Sequence, residues 1–328
     1  MRAVIAASPG GPEALEVVER PDPRPAPDEL LLAVHAAGVN RADVLQREGR
    51  YPPPEGASDV LGLEAAGEVL EVGSQVSGWS PGDRAIALLA GGGYAERAVV
   101  PATIALPWPA GLDAAEAGCA YEVLATAEDN LIRRGRLARG EVALIHGGTG
   151  GVGTAAIQLA RRHGARALVT VGSADKAPAA RDLGADAAIV HTEEDFVDAT
   201  RELTGGRGVD VVLDVVGGAY LERNLRALAA DGRLVVIGLQ GGARAELDLA
   251  RLLTRRLSVA ASTLRARPRE QKEELAAHLR SAVWPGLADG TLRPVVAATY
   301  PLAEAARAHE HLERREHVGN VVLTVASR

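Results

Sequence analysis

A glycine-rich turn between an apolar strand and an amphipathic helix constrains the fold of this chain more than any other feature. The stretch EVALIHGGTGGVGTAAIQLARRHG runs from Glu141 to Gly164. Its glycines fit the pattern G-x-G-x-x-G, in which missing side chains allow a tight turn, close approach of the backbone to a pyrophosphate, and close packing of helix on strand. Free N–H groups at the start of the helix then bind phosphate. The sequence therefore predicts a dinucleotide-binding loop formed by Gly148, Thr149, Gly150, Gly151, Val152 and Gly153.

Strands and helices alternate along the chain from this turn onward. Apolar strands are predicted at Glu141–His146, Arg166–Val171, Ala187–Val190, Val209–Asp214, Leu234–Gly238 and Leu257–Ala261. Six such strands with intervening helices predict an α/β domain with a Rossmann, doubly wound six-stranded parallel sheet. Within this series, a glycine-rich turn that binds no ligand is the weaker interpretation of the loop.

The segments on either side of this series have another pattern. A chain of 328 residues exceeds the usual size of one domain. Up to about residue 122, short apolar runs are broken by Gly and Pro, which is typical of a compact β-rich domain. The elements predicted after the sixth strand do not extend the six-strand unit. We therefore expect residues 265–328 to return to residues 1–122, with the nucleotide-binding domain at 123–264 between them.

The composition excludes several classes of partner. The formal net charge is −7 and no block of Lys or Arg occurs, so an electrostatic footprint for nucleic acid or an anionic membrane surface is missing. No apolar run reaches the roughly 18 residues of a membrane span, and the first residues do not resemble a signal peptide. We expect a cytoplasmic protein that acts on a small molecule.

The segment after the second Rossmann strand bears on the choice of cofactor. An NAD enzyme usually carries an acidic residue at this strand end, whereas a 2′-phosphate favours small and basic groups. Gly172 and Ser173 occupy the strand end, and Lys176, one of only two lysines, follows. Asp175 is the alternative partner for a ribose hydroxyl, although we interpret it as a helix-capping residue. The pattern favours NADPH over NADH.

Glycines also follow the fourth and fifth predicted strands, at Gly217 and Gly238. Ligands of such sheets bind at the carboxyl ends of the strands, so these glycines are candidates for the floor of the nicotinamide half of the site. Ordinary turn glycines are an equally open interpretation of each position.

Several segments together resemble one known family. HGGTGGVGTAAIQLAR, NRADVLQREGRYPPP from Asn40, GLEAAGEVLEVG from Gly62, GSADK and STLRARP from Ser262 are similar to the quinone oxidoreductase, or zeta-crystallin-like, branch of the medium-chain dehydrogenase/reductase superfamily. The resemblance covers essentially the whole chain. It implies a GroES-like catalytic domain formed by both chain ends, a central cofactor domain, a homodimer, and NADPH-dependent reduction of quinones.

Metal ligands expected of zinc-dependent members of the superfamily are missing. Asn40 and Leu63 stand where those members carry Cys and His, and neither is a good zinc ligand. A four-cysteine zinc lobe is impossible because the chain has one cysteine, Cys119. We interpret Cys119 as a small core residue. His309, His311 and His317 are interpreted as satisfied or solvated side chains. We expect no metal, and hence an electron-poor acceptor rather than an alcohol.

The resemblance also suggests roles for individual residues. Asn40 and Tyr51 would line the substrate cleft, where each can donate a hydrogen bond to a quinone oxygen. Purely structural roles at a strand end and a turn remain open for both. Arg265 would lie near the cofactor, with a surface cation as the alternative. Ser173 and Lys176 would contact the 2′-phosphate, and His191 stands where the family usually has Tyr.

Three functions remain open at the level of sequence. The first is an NADPH:quinone reductase that transfers hydride without a metal. The second is an NADPH-dependent enoyl or 2-alkenal reductase of the same fold, because conjugated enones and quinones pose the same electronic problem to a hydride donor. The third is a non-enzymatic NADPH-binding protein, because fold alone does not fix function.

Overall fold

Two compact units make up the chain. The structure is a computed structural model that describes residues 1–325. Unit 1 comprises Met1–Ala125 and the chain from Leu264 onward, and unit 2 comprises Thr126–Thr263. The corresponding domain boundaries expected from the sequence lie at 122/123 and 264/265.

The first segment of unit 1 consists mainly of short strands. They are β1 (Arg2–Ala6), β2 (Leu15–Glu19), β3 (Glu29–Val39), β4 (Glu64–Val72), β5 (Arg84–Leu88), β6 (Arg97–Pro101) and β7 (Leu106–Pro107). The helices of this segment are α1 (Arg41–Arg47), α2 (Ala114–Gly118) and α3 (Tyr121–Ala127), the last of which crosses into unit 2. A π-helical segment, Glu128–Arg134, follows α3.

Unit 2 alternates strands and helices. Its elements are β8 (Val142–His146), α4 (Gly151–Arg162), β9 (Arg166–Val171), α5 (Ala177–Asp182), β10 (Ala187–Val190), α6 (Phe196–Leu203), β11 (Val209–Asp214), α7 (Leu221–Ala227), β12 (Leu228–Val236), α8 (Leu249–Arg255) and β13 (Ser258–Ala261). The strands lie in the order β10-β9-β8-β11-β12-β13, and every neighbouring pair is parallel. The predicted six-stranded parallel sheet is confirmed.

The middle of this sheet is buried on both faces. Every residue of β8 and β11 is buried, as expected of central parallel strands that carry helices on either side. The core beside them includes Leu144, Leu168, Phe196 and Leu225. Burial of both faces explains why most residues of these strands are apolar.

One Rossmann strand differs from its predicted bounds by more than one residue. The strand expected at Leu234–Gly238 spans Leu228–Val236 and ends two residues earlier than predicted. Its start was missed because Asp231 and Gly232 resemble a turn, and Asp231 does adopt a positive φ of 62°. Its end was misplaced because Ile237 leaves the strand and its N–H donates to the Asp214 carbonyl instead.

The last segment of the chain contributes to unit 1. It contains α9 (Arg269–Ala282), α10 (Trp284–Ala288), β14 (Val296–Pro301), α11 (Ala305–Arg314) and β15 (Asn320–Thr324). The larger sheet of unit 1 has the order β14-β15-β3-β4-β5-β7, in which β6 also pairs with β3, and β1 and β2 form a separate two-stranded sheet. Strand β3 therefore pairs with β15, β4 and β6, which fixes the position of Asn40 directly after its end.

Candidate functional site

The turn between β8 and α4 has no room for side chains at two of its glycines. A Cβ atom on Gly153 would lie 2.2 Å from the Gly147 carbonyl oxygen, and one on Gly148 would lie 2.5 Å from the Cβ of Val169. Gly150 precedes α4, and Gly151 and Val152 open it. The first N–H groups of an α-helix have no partner within the helix. The turn thus has the crowding and the exposed donors that a phosphate-binding loop needs, and Thr149 is largely buried within it.

A buried hydrogen-bond network supports this loop from the sheet side. The Gly147 N–H donates to Thr170 Oγ1 at 3.2 Å, and the same hydroxyl lies 3.1 Å from His146 Nδ1. His146 Nε2 lies 2.7 Å from Asn224 Oδ1. Burial lowers the pKa of His146 to about 4, so the imidazole is neutral at neutral pH and joins three elements without a charge.

The three residues predicted to contact the 2′-phosphate, Ser173, Lys176 and His191, follow neighbouring strands at one edge of the unit 2 sheet. Strands β9 and β10 end side by side, and the His191 N–H donates to the Val171 carbonyl at 3.2 Å. Ser173 follows β9, and Lys176 ends a short 3-10 turn with only 9% of its surface exposed. The Ser173 hydroxyl hydrogen-bonds the Asp175 carboxylate and lowers the pKa of that group. The capping interpretation of Asp175 accords with its position in the first turn of this 3-10 helix.

The loops that contain Gly217 and Gly238 pack on each other. A Cβ on Gly238 would lie 2.7 Å from the Val215 carbonyl oxygen, and one on Gly217 would lie 2.9 Å from that of Gly242. The Gly241 N–H donates to the Val216 carbonyl at 2.7 Å. Both glycines therefore have a structural reason to lack a side chain, and both lie at the carboxyl edge of the sheet.

In unit 1, Asn40 joins the end of β3 to the start of α1. Its backbone N–H donates to Asp43 Oδ2 at 2.8 Å, and its side-chain Nδ2 donates to Glu64 Oε1 at 2.9 Å. The residue is 9% exposed. Glu64 therefore holds the side-chain amide of Asn40 and Asp43 holds its backbone, which accords with the structural interpretation, and the second N–H of Nδ2 remains as a donor.

Two fully buried carboxyl groups surround Asn40. Burial raises the pKa of Glu64 to about 8, and the neighbouring Glu122 carboxylate adds to the effect. Burial also raises the pKa of Asp43 to about 6, although Asp43 accepts hydrogen bonds from Asn40, Gly62 and Tyr94. Glu64 is consequently protonated at neutral pH, whereas Asp43 is mainly ionised.

Arg265 holds Tyr51 within unit 1. Its guanidinium donates to the Tyr51 carbonyl at 3.2 Å, to the Ala90 carbonyl at 2.8 Å and to Gln46 Oε1 at 2.7 Å. Its Cζ atom also lies 5.4 Å from the centroid of the Tyr51 ring. Because Arg265 is only 5% exposed, the alternative of a surface cation is wrong. The structure brings Arg265 and Tyr51 together, as two of the predicted site residues.

The cysteine and two of the histidines considered as metal ligands are buried or contact other protein groups. Cys119 is buried, and His309 belongs to a chain of contacts that links Arg47, Tyr94 and Asp43. His311 Nδ1 lies 2.8 Å from the Tyr300 hydroxyl. Among residues 1–325, no three His, Cys, Asp or Glu side chains are grouped so that they could hold a metal ion. Within the same residues, no helix has the length and apolar character to cross a membrane.

Sequence reasoning missed the buried polar residues that support the candidate side chains. Glu64 directly follows Leu63, and His146 directly precedes the glycine loop, so both lay within segments already singled out. Their burial was hidden because a Glu or a His within a strand is compatible with either face. A polar residue inside an otherwise apolar run was the available signal.

Comparisons with known proteins agree with this architecture. The family model for the alcohol dehydrogenase GroES-like domain matches residues 26–110, and that for zinc-binding dehydrogenase matches residues 151–281. A quinone oxidoreductase of Rattus norvegicus is 32% identical over 314 residues, which cover 95% of this chain and 94% of that protein. The solved Escherichia coli quinone oxidoreductase complexed with NADPH has a TM-score of 0.87 at 35% identity, covering 98% of this chain and 99% of that one. The solved structure of an NAD-dependent alcohol dehydrogenase has a TM-score of 0.88 at 34% identity, and the match covers 99% of this chain and 100% of that one.

A Rossmann unit joined to a GroES-like unit, with an intact glycine loop, defines an oxidoreductase of the medium-chain dehydrogenase/reductase superfamily. Within that superfamily, the chain belongs to the quinone oxidoreductase branch. The resemblance deduced from sequence motifs is confirmed.

The raised pKa of Glu64 predicts a stability that falls with pH. Between its ordinary value of 4.5 and about 8, the folded state keeps a proton that the unfolded state has released, so ionisation favours unfolding as pH rises. Asp43 and Asp214, with pKa values raised to about 6, act in the same direction only at lower pH. Burial lowers the pKa values of His146 and His309 from the ordinary 6.5, so these residues make the folded state more stable as pH rises, but only below about pH 6.5.

Glu64 is therefore the group expected to dominate between pH 6.5 and 8. The free energy of unfolding should fall by about 1–2 kcal/mol across this interval, at up to about 1.4 kcal/mol per pH unit. Urea denaturation of the wild type and of Glu64→Gln checks this, because the variant should lack the slope. If the free energy of unfolding falls equally steeply with pH in both proteins, another group causes the pH dependence.

Proposed function

We propose that this protein is an NADPH-dependent quinone oxidoreductase that transfers hydride to its acceptor without a metal. The observation that carries the proposal is a dinucleotide loop in unit 2 together with a set of hydrogen-bond donors, Asn40 and Tyr51, in unit 1. Asn40 and Leu63 stand at the two positions where a zinc-dependent relative would need Cys and His. The chemistry thus has to come from positioning and hydrogen bonding.

The residues of unit 2 fit a nicotinamide dinucleotide. Gly148 and Gly153 leave space that a Cβ would fill, and the backbone of this turn would hold the pyrophosphate. Ser173, Lys176 and His191 would hold the 2′-phosphate at the ends of β9 and β10. NADPH supplies the hydride when bound. The E. coli relative was solved with NADPH, whereas one structural neighbour is described as NAD-dependent, so the preference needs a direct test.

The residues of unit 1 would act on the acceptor. Asn40 would donate an N–H to a quinone oxygen as negative charge develops on it. The Tyr51 hydroxyl would donate a second hydrogen bond or pass a proton to the reduced product. Arg265 would keep Tyr51 in place through its carbonyl and its ring. An enone acceptor would use the same groups, so an assay has to include both acceptor classes.

Assembly as a homodimer in the cytoplasm is part of the proposal. Strand β13 ends the unit 2 sheet, and all four of its residues are exposed. Leu249 and Leu253 of α8 are 63% and 79% exposed, and Val259 is 42% exposed. An unpaired sheet edge beside exposed leucines favours association, and a second copy related by a two-fold axis offers the same edge.

Steady-state oxidation of NADPH with ortho-quinones, para-quinones and enals tests the function, and Tyr51→Phe tests the site. We expect quinones to be the best acceptors and Tyr51→Phe to lower turnover about ten- to a hundredfold, because one hydrogen-bonding or proton-donating group is lost. NADPH affinity should change little. Tyr300→Phe is the matched control, since that hydroxyl bonds His311 elsewhere in unit 1.

Faster turnover of enals than of quinones would identify enones as the acceptor class. No turnover of any acceptor would support a non-enzymatic role. Unchanged turnover in Tyr51→Phe would make Tyr51 a packing residue.

Cofactor preference is tested with Lys176→Ala. A charge-assisted hydrogen bond to a 2′-phosphate is worth about 1.5–3 kcal/mol, so NADPH affinity should fall roughly ten- to a hundredfold while NADH affinity stays the same. Fluorescence titration of both cofactors measures this, with Arg181→Ala as a control that removes an exposed cation on α5. Equal losses for the two cofactors, or a wild type that prefers NADH, would point to Asp175 as the specificity residue.

Dimerisation is tested with Leu253→Lys on α8. We expect the wild type to sediment as a dimer and the variant to shift towards monomer, because a buried lysine beside the β13 edge opposes association. Leu70→Lys is the control, since Leu70 is an exposed leucine of unit 1, with 37% of its surface accessible. A dimer that survives Leu253→Lys would move the interface away from this patch.

A further inference from the structure

The Glu64 carboxyl is held from two sides beneath Asn40. Glu64 is fully buried as the first residue of β4. Its Oε1 accepts Asn40 Nδ2 at 2.9 Å, and its Oε2 accepts the backbone N–H of Glu122 at 3.0 Å. With one donor on each oxygen, the carboxyl is held in place, and one N–H of the Asn40 amide is directed at it.

Space for this carboxyl exists because residue 38 is a glycine. A Cβ on Gly38 would lie 2.3 Å from Glu64 Oε1. Gly38 precedes Asn40 by two residues near the end of β3, and β3 pairs with β4. The carboxyl therefore lies against the strand that carries Asn40, and any side chain at position 38 would displace it.

The titratable groups around Glu64 are acids. The Glu122 and Asp43 carboxylates raise its pKa, in addition to the larger effect of burial, while the Asn40 amide and the Glu122 N–H lower it. Burial raises the pKa values of Cys119 and Tyr94, and the nearby Glu64 carboxyl adds to the effect. A neutral carboxyl is the form that this set of neighbours favours at neutral pH.

We propose that Glu64 is a positioning residue for hydride transfer: it accepts one N–H of the Asn40 amide and thereby leaves the second N–H to the acceptor oxygen. This inference rests on the proposed function, in which Asn40 binds that oxygen. A neutral Glu64 places no fixed negative charge near an oxygen on which negative charge develops. Ionised Glu64 would oppose that charge, so the reaction should slow as Glu64 loses its proton.

The contact between Glu64 and Asn40 can be observed without any turnover. The chain has four asparagines, Asn40, Asn130, Asn224 and Asn320, so selective 15N-Asn labelling yields few side-chain amide signals. Asn40→Gln assigns the Asn40 pair by its disappearance. In the wild type, the Asn40 side-chain signals should move with pH, with a midpoint near the Glu64 pKa of about 8. In Glu64→Gln the step near pH 8 should be absent, and only the change caused by Asp43 near pH 6 should remain.

Two further variants sharpen this measurement. Glu68→Gln makes the same change at an exposed position of β4 and should titrate like the wild type. Gly38→Ala keeps the Glu64 carboxyl group but displaces it, so the Asn40 signals should differ from those of the wild type even at pH 6. Unchanged signals of Asn130, Asn224 and Asn320 in these variants show that the fold is retained.

Kinetics with quinone and NADPH test the consequence for the reaction. In the wild type, kcat/KM should fall above about pH 8, and Glu64→Gln should lose this alkaline limb. At pH 7 the variant should lose roughly tenfold in kcat, because one carboxamide oxygen cannot accept from both Asn40 and Glu122. The Kd for NADPH should stay the same, as it depends on the unit 2 loop.

The outcomes separate this inference from the proposed function. If no acceptor is reduced, the proposed function fails, and so does the positioning role, while the NMR titration still decides whether Glu64 controls the Asn40 amide. If quinone is reduced but the Asn40 signals do not titrate, or titrate equally in Glu64→Gln, the inference is overturned. An alkaline limb that persists in Glu64→Gln overturns it as well.

Discussion

The turn between β8 and α4 is the constraint on which unit 2 depends. Gly153 must approach the Gly147 carbonyl, and Gly148 must approach Val169, so any side chain at either position would push the helix off the sheet. Close packing brings the start of α4 to the carboxyl edge, where β9, β11 and β12 also end. The tight turn and the close packing of α4 on the sheet thus follow from the same lack of side chains.

Buried polar groups hold the candidate residues in both units. His146 is neutral and bonded at both ring nitrogens, and it supports the glycine loop through Thr170. Glu64 performs the corresponding task for Asn40 in unit 1. An unpaired buried polar group costs about 1–3 kcal/mol, so these hydrogen bonds define one arrangement against the alternatives. The positions of the glycine loop and of Asn40 therefore depend on the buried side chains of His146 and Glu64.

In the proposed function, hydrogen bonds replace the metal of zinc-dependent members of the superfamily. A zinc ion polarises an oxygen through its charge, whereas Asn40 and Tyr51 would offer only hydrogen bonds. Weaker polarisation suits an acceptor that takes hydride readily, such as a quinone or an enone. It also makes the neighbouring charges matter, because a carboxylate next to such donors would offset much of their effect.

The sequence by itself determined the Rossmann sheet, the glycine loop and the family. Central parallel strands are mostly apolar, and a loop such as Gly148–Gly153 is local in sequence, so both can be recognised without tertiary information. Tertiary structure alone decided which polar residues are buried and what they contact. Arg265 lies far from Tyr51 in sequence and Asn40 lies 24 residues from Glu64, so neither contact could be inferred from spacing. Hydrogen bonds between distant segments depend on the register of β3 with β4 and on the packing of helices, and a pattern of residues does not encode either one locally.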